Sequence, residues 1–353
     1  MNTPLTLARA SIRSMHAYQP ASGEKDLIRL HANEAPWRAP GDHSDFGLNR
    51  YPEPQPKLLA DSFSALYGVQ PTRLLMTRGS DDAIDLLIRT FCEAGRDEIM
   101  ICPPTFDMYR IWAQIQGAGV VECPLDQDRG FALRPEQLVA QWRKSIKLIF
   151  LCSPNNPTGN CMPVAAVEQI CQALAGKAII VVDEAYMDFS SAPSLTPLLD
   201  RYPNLVLLRT LSKAYALAAL RIGVLLGHED LIDLSRRLLP PYPLPAPVIE
   251  AALGAVEERE QERLAGRIAE LRGERDRVIE LLGRMPFLEE LWPSDANFVL
   301  IRVREPARIL DACRRNGVLI RDFSEKPLLE RCLRVTIGSR MQNDRLLAAL
   351  EDT

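Results

Sequence analysis

Leu205-Val206-Leu207-Leu208-Arg209-Thr210-Leu211-Ser212-Lys213-Ala214-Tyr215 is the stretch on which the reading of this chain turns. The apolar run Leu205 to Leu208 has the length and composition of a buried strand, and Lys213 stands at its exit among hydroxyl side chains. Arg221 follows eight residues later. A lysine in that setting can be held beside a bound phosphate and can form an imine with an aldehyde. Taken alone, a lysine after a strand is more often a solvated surface residue. Three other segments change the balance.

The first is Val181-Val182-Asp183-Glu184-Ala185-Tyr186. Ala178 to Val182 reads as a parallel strand, with Asp183 at its carboxyl end, where open α/β sheets place their ligands. In isolation such an aspartate is more often a helix N-cap. The second is Ser153-Pro154-Asn155-Asn156-Pro157-Thr158-Gly159, a turn-rich loop after the strand-like run Lys147 to Cys152. The third is Thr77-Arg78-Gly79-Ser80-Asp81-Asp82, which opens the amphipathic run Ala83 to Cys92. A glycine turn at a helix start offers free N–H groups and the positive end of the helix dipole to an anion, although most Ser-Asp starts are simple caps. Gly79, Ser80 and Asp81 can present those amides, and Thr210, Ser212 and Arg221 complete a phosphate cup. Together these parts match the needs of pyridoxal phosphate: an amine for its aldehyde, a cup for its phosphate and an acid for its ring nitrogen.

In these motifs the chain resembles the fold-type I pyridoxal phosphate-dependent aminotransferases, and most strongly the histidinol-phosphate aminotransferases. The matching segments include Leu30-His31-Ala32-Asn33-Glu34, Arg50-Tyr51-Pro52, Pro103 to Tyr109, Leu220-Arg221-Ile222-Gly223, Ala296 to Leu300, Ile320-Arg321-Asp322 and Leu333 to Gly338. They keep the family's order over nearly the whole chain. The resemblance implies pyridoxal 5'-phosphate as cofactor, Lys213 as the Schiff-base lysine and Asp183 as partner of the pyridine nitrogen. It gives Asn156 and Tyr186 the phenolic oxygen and Phe106 the face of the ring, where the family usually has tyrosine. Tyr51 resembles the tyrosine that crosses to the phosphate of a neighbouring subunit, which implies a homodimer. Tyr18, Asn33, Arg321 and Arg334 resemble substrate-binding residues. Ala219 departs from the glycine usual before Leu-Arg, a change that is costly where the backbone has φ > 0.

The implied reaction transfers an amino group between L-histidinol phosphate or imidazole acetol phosphate and 2-oxoglutarate or glutamate. An aromatic amino-acid aminotransferase and a threonine-phosphate decarboxylase share the same lysine and aspartate. A silent binding protein on the same scaffold is a reading from a different class.

Composition sets wider bounds. The chain has 353 residues, 47% hydrophobic and 25% charged, with net charge −4. These values fit a globular protein of one large and one small domain and argue against a nucleic-acid partner. No apolar run is long enough to span a bilayer, and Met1 to Arg13 lacks a signal-peptide core, so a cytoplasmic protein is expected. The eight cysteines and four histidines are scattered, which suggests buried free thiols and no metal site.

From Leu74 to Leu226 short apolar runs alternate with amphipathic segments. With the resemblance, this gives an expected α/β fold: a mostly parallel seven-stranded sheet flanked by helices, plus a smaller α+β domain. The expected organisation is an arm over 1–45 that joins the smaller domain, a large cofactor-binding domain over 46–240 and the small domain over 241–353. Residues 239–247 are proline-dense and read as a connector. Val248 to Leu282 reads as one long helix or two broken ones. Asn297 to Val303, Val318 to Ile320 and Leu333 to Ile337 read as the strands of the small domain.

Overall fold

The structure is a computed structural model that describes residues 4–18 and 27–351. Pro20, one of the prolines of the expected arm, lies outside the described residues. The larger sheet has seven strands: β1 (Leu74–Thr77), β2 (Glu98–Ile101), β3 (Gly119–Glu122), β4 (Ile146–Cys152), β5 (Ile179–Asp183), β6 (Leu205–Thr210) and β7 (Gly223–Leu226). Their order is β1-β7-β6-β5-β4-β2-β3. The neighbours from β3 to β6 run parallel, and only β7 runs antiparallel to its neighbours β1 and β6.

Alternation along the central strands explains why both faces are covered. Ile149, Leu151, Ile180, Val182, Leu205 and Leu207 belong to one core. Leu148, Phe150, Ile179, Val181, Val206 and Leu208 belong to the core on the other side. A strand with apolar residues at every position has no face for water and becomes the interior of a parallel sheet.

A second sheet is antiparallel, in the order β10 (Arg321–Asp322), β11 (Cys332–Thr336), β9 (Phe298–Val303) and β8 (Leu288–Leu291). Its core includes Val278 and Leu282 from the helix Glu258–Leu282, Ile309 and Cys313 from Pro306–Arg315, and Leu346, Leu347 and Leu350 from Arg340–Glu351.

Several expectations meet a different outcome. Val318 and Ile320 pack on the smaller core and Leu319 is exposed, but the ladder with β11 begins only at Arg321. Their alternation imitates a strand without the hydrogen bonds of one. The segment after the connector divides into Ala246–Ala255 and Glu258–Leu282, the first with proline in its opening turn, where a missing N–H costs nothing. The arm does not join the smaller domain over residues 4–15. Arg9 N–H bonds the Thr90 carbonyl, its guanidinium pairs with Glu93, and Arg237 holds the carbonyls of Ile12, Arg13 and Met15. Ala8 and Ile12 are buried in the core of the larger sheet.

The turn from β1 into the helix Ser80–Phe91 lies directly against β7. A Cβ on Gly223 would stand 2.6 Å from the Gly79 carbonyl carbon and 2.7 Å from the Ser80 nitrogen. Both are backbone atoms that no rotamer change can move. Gly223→Ala is therefore expected to cost about 2–3 kcal/mol, at the upper end for overpacking, read as a lowered urea midpoint at unchanged slope.

Candidate active site

Strands β4, β5 and β6 end side by side, so Cys152, Asp183 and Thr210 reach one edge of the sheet together. A cavity of about 490 Å³ opens there. Its walls bring together Ser80, Asp81, Phe106, Asn156, Asp183, Tyr186, Thr210, Ser212, Lys213, Arg221, Arg321 and Arg334, residues spread over more than two hundred positions of sequence.

At one end is an anion cup. Gly79 precedes the helix Ser80–Phe91 with φ 82 and gives that helix no side-chain cap. A Cβ there would also stand 2.8 Å from Nη2 of Arg221. The positive φ favours glycine whatever the space, whereas the guanidinium, at the end of a flexible side chain, could shift from a Cβ. Arg221 donates to Asp81 Oδ2 at 3.1 Å and to Ser212 Oγ at 3.4 Å. The Thr210 hydroxyl lies 3.0 Å from Ser212 Oγ. Arg221 itself has φ 53, as Ala216 nearby has φ 57, whereas Ala219 sits in the short 3-10 turn Ala218–Leu220. The departure at Ala219 therefore carries no left-handed strain.

At the other end is Asp183, almost wholly buried. Its Oδ2 accepts from the Tyr109 hydroxyl at 2.9 Å and its Oδ1 from the Ala185 N–H at 3.1 Å. Burial pushes its carboxyl up to about 6, although both donors and the Lys213 ammonium oppose the shift. Lys213 borders the open cavity and keeps exposed surface, with its Nζ 5.4 Å from the centre of the Tyr186 ring. Its pKa is lowered, first by loss of solvation and then by the positive charge of Arg334, with Asp183 pulling the other way. Asn156 Nδ2 lies 3.4 Å from the Tyr186 hydroxyl, while Arg334 Nη1 donates to Asn156 Oδ1. That second bond fixes which way the amide faces.

The far wall comes from the smaller sheet. Arg321 and Arg334 are direct cross-strand partners in the ladder of β10 and β11. Like charges directly opposite one another destabilise a sheet unless something pairs with them. Arg334 lies between Phe298 and Phe323, 5.0 and 5.4 Å from the ring centres, and Arg321 lies 5.9 Å from Phe323. The pKa of Arg334 is lowered by burial, with the positive charge of Arg321 contributing in the same direction. Two guanidiniums held together on aromatic faces have the donors and charge to pair with an anion.

Behind the cavity, Arg209 is buried and bonds Glu184 Oε2 at 2.9 Å and Asp188 Oδ1 at 2.7 Å. Glu184 also accepts from Ser194 and from the Leu195 N–H. The exits of β5 and β6 are thereby tied to each other.

Tyr18, Asn33 and Tyr51 stand outside this cavity. Tyr18 is exposed, Asn33 is exposed with φ 56, and Tyr51 is half exposed and stacked on Tyr242 at 4.3 Å. Two aromatic residues escaped the sequence reading. Phe323 shares a strand face with Arg321 two positions earlier, a signal present in the period of two. Tyr109 follows Phe106 at i+3 across a helix start, the spacing that puts two side chains on one side. All eight cysteines are free thiols, seven of them buried. Among the described residues no cluster of histidine, cysteine or acidic side chains is arranged to hold a metal, and no helix is long and apolar enough to cross a membrane.

The model of the family "Aminotransferase class I and II" matches residues 22–350. The histidinol-phosphate aminotransferase of Xanthomonas euvesicatoria pv. vesicatoria is 45% identical over 353 residues, covering 99% of this chain and 97% of that protein. That of Aeromonas salmonicida is 42% identical, covering 98% and 97%. Among solved structures, the histidinol-phosphate aminotransferase of Sinorhizobium meliloti in complex with pyridoxal-5'-phosphate aligns with TM-score 0.78 and 25% identity, over 86% of this chain and 83% of that one. The Clostridium acetobutylicum enzyme aligns with TM-score 0.79 at 21% identity, over 86% and 90%, a likeness of fold.

A buried carboxylate whose pKa is raised works against folding once it ionises. The folded state takes up a proton at Asp183 at about pH 6, and the unfolded chain only near the ordinary aspartate value of 3.8. Stability therefore rises as pH falls from above 6 towards 4 on account of this group. Asp183→Asn is expected to raise the melting temperature of the protein without added ligand at pH 8. The gain corresponds to roughly 2–3 kcal/mol and shrinks as pH falls through 6, checked by thermal melts across pH 5 to 8.

Proposed function

The chain belongs to the class I and II aminotransferases, and from that premise we propose that it transfers the amino group of L-histidinol phosphate to 2-oxoglutarate, using pyridoxal 5'-phosphate. The products are imidazole acetol phosphate and glutamate, and the reverse transfer serves histidine biosynthesis. The observation that carries the substrate reading is the cross-strand guanidinium pair Arg321 and Arg334 beside Lys213, which asks for a phosphate or carboxylate in the cavity.

The residues present fit the cofactor. Arg221, Ser212, Thr210 and the N–H groups at the start of the helix Ser80–Phe91 would hold its phosphate, in a cup opened by Gly79, whose φ of 82 favours glycine. Asp183 would hold the ring nitrogen, Asn156 and Tyr186 the phenolic oxygen, and Phe106 the ring face. When bound, the cofactor supplies an aldehyde that takes the amino group and a protonated ring that withdraws electrons from the carbon losing its proton.

The protein's own groups do the rest. The lowered pKa of Lys213 raises the fraction of free amine at neutral pH, so Nζ can take the proton from the substrate's α-carbon and return it on the other side of the transfer. Arg321 and Arg334 receive the phosphate of one substrate and the carboxylate of the other in turn, since a planar guanidinium pairs with either in a bidentate manner. Arg334 also holds Asn156, so the anion receptor and the cofactor pocket share one hydrogen bond.

The active unit is a homodimer in this proposal. Tyr51 lies outside the cavity of its own chain and is half exposed, as expected of a side chain that completes the partner's phosphate cup. Exposed Leu30, Trp37 and Leu48 lie in the same region of sequence and supply apolar surface for such contact. The cytoplasm is the expected compartment, a reading supported by the buried free thiols.

Two experiments test these proposals. In single turnover, the pyridoxal phosphate-loaded protein should lose its cofactor colour rapidly with L-histidinol phosphate and regain it with 2-oxoglutarate, and Lys213→Ala should do neither. A faster response to phenylalanine would move the protein to an aromatic aminotransferase, and carbon dioxide release from O-phosphothreonine to a decarboxylase. For the dimer, mixing and refolding Tyr51→Ala with Lys213→Ala should restore activity, because one site in each mixed pair then has Lys213 and a partner's Tyr51. Two weak variants that stay weak when mixed would reject Tyr51 as a residue that acts across subunits.

A further inference from the structure

Tyr109 is a fully buried tyrosine that does not line the cavity, yet it touches two side chains that do. Its hydroxyl donates to Asp183 Oδ2 at 2.9 Å. Its ring meets Phe106 edge-on, with centres 5.7 Å apart and planes at 86°. Its opposite support is Phe150 on β4, stacked at 4.8 Å and 15°. Phe150 belongs to the sheet core, so Tyr109 is anchored on an interior strand of the larger sheet.

We infer that Tyr109 is a positioning residue that fixes both the carboxylate directed at the cofactor's ring nitrogen and the aromatic ring that covers the cofactor's face. The inference rests on the cofactor reading above. A carboxylate at a strand end is free to turn about its last side-chain bond, and each orientation presents a different oxygen to a ligand. Here the Ala185 N–H holds Oδ1 and the Tyr109 hydroxyl holds Oδ2, so the plane of the group is set from both sides. Buried donors that meet a charged oxygen are among the stronger hydrogen bonds in proteins. The edge contact with Phe106 works in the same direction, because an aromatic pair at this angle resists rotation of either ring. One buried side chain thus links the group expected at the ring's nitrogen to the group expected at its face.

The test compares equilibrium binding of pyridoxal phosphate with binding of its 1-deaza analogue, in which carbon replaces the ring nitrogen. The wild-type protein and Tyr109→Phe are each titrated and followed by absorbance. The wild-type protein should prefer the natural cofactor. Tyr109→Phe keeps the packing on Phe150 and loses only the hydroxyl, and its preference should fall about tenfold or more, as expected for a lost hydrogen bond to a charged group. A purely structural role would weaken both ligands by the same factor, and that result, or an unchanged preference in Tyr109→Phe, would overturn the inference. A wild-type protein that binds neither ligand would refute the cofactor reading, and one that binds both equally would refute the contact of Asp183 with the ring nitrogen; this inference falls in either case. A preference that survives removal of the hydroxyl would refute the role of Tyr109 alone.

Discussion

Arg209 is the ion on which the geometry of the cavity depends. It sits at the end of β6, buried, with Glu184 and Asp188 from the exit of β5 as its partners and the ring of Tyr67 5.1 Å from its guanidinium carbon. A charge in that place is tolerated only because each partner is also charged and closely placed, and loss of one partner leaves another charge buried alone. Glu184 is the neighbour of Asp183 in sequence, and Arg209 precedes Lys213 by one short turn. Asp183 and Lys213, the side chains proposed for the central chemical roles, therefore hang from the two ends of one buried ion pair.

The same logic extends across the two sheets. Gly159, in the loop after β4, approaches the turn that leads to β9 so closely that a Cβ would stand 2.5 Å from Ser294 Oγ. The Asp295 N–H bonds the Gly159 carbonyl at 2.8 Å. Arg275 reaches from the long helix to the carbonyls of Phe189 and Ala296. These contacts bring β10 and β11 to the mouth of the cavity, where Arg334 meets Asn156. The guanidinium pair on one sheet and the proposed cofactor pocket on the other are joined by one backbone hydrogen bond, a close glycine approach and the Arg275 side chain.

Much of this was legible in the sequence because the site is built from short local motifs. Asp183 follows an apolar run, Gly79 opens a helix, and Lys213 lies between hydroxyls and an arginine, so each motif carries its own chemical signature. The strand rhythm from Leu74 to Leu226 was legible for the same reason, since a strand buried on both faces is apolar at every position. Tyr109 had no such signature. Its function depends on a hydrogen bond to a residue seventy-four positions away, and a tyrosine after a helix start is otherwise an ordinary core residue. Val318 to Ile320 misled in the opposite sense, because alternation reports burial on one side and not the presence of a ladder partner.

By itself the sequence determined the class of fold, the order of the parts and the types of side chain available for a phosphate-bearing aldehyde cofactor. Those properties follow from local periodicity and from the chemistry of individual residues. The tertiary structure decided which groups share a cavity, which of them carry a shifted pKa and which are held still. It set the carboxyl of Asp183 near 6 by burial, lowered Lys213 by the same means, and placed Arg321 opposite Arg334. Solvation and distance are properties of packed surroundings, and only the packed chain has them.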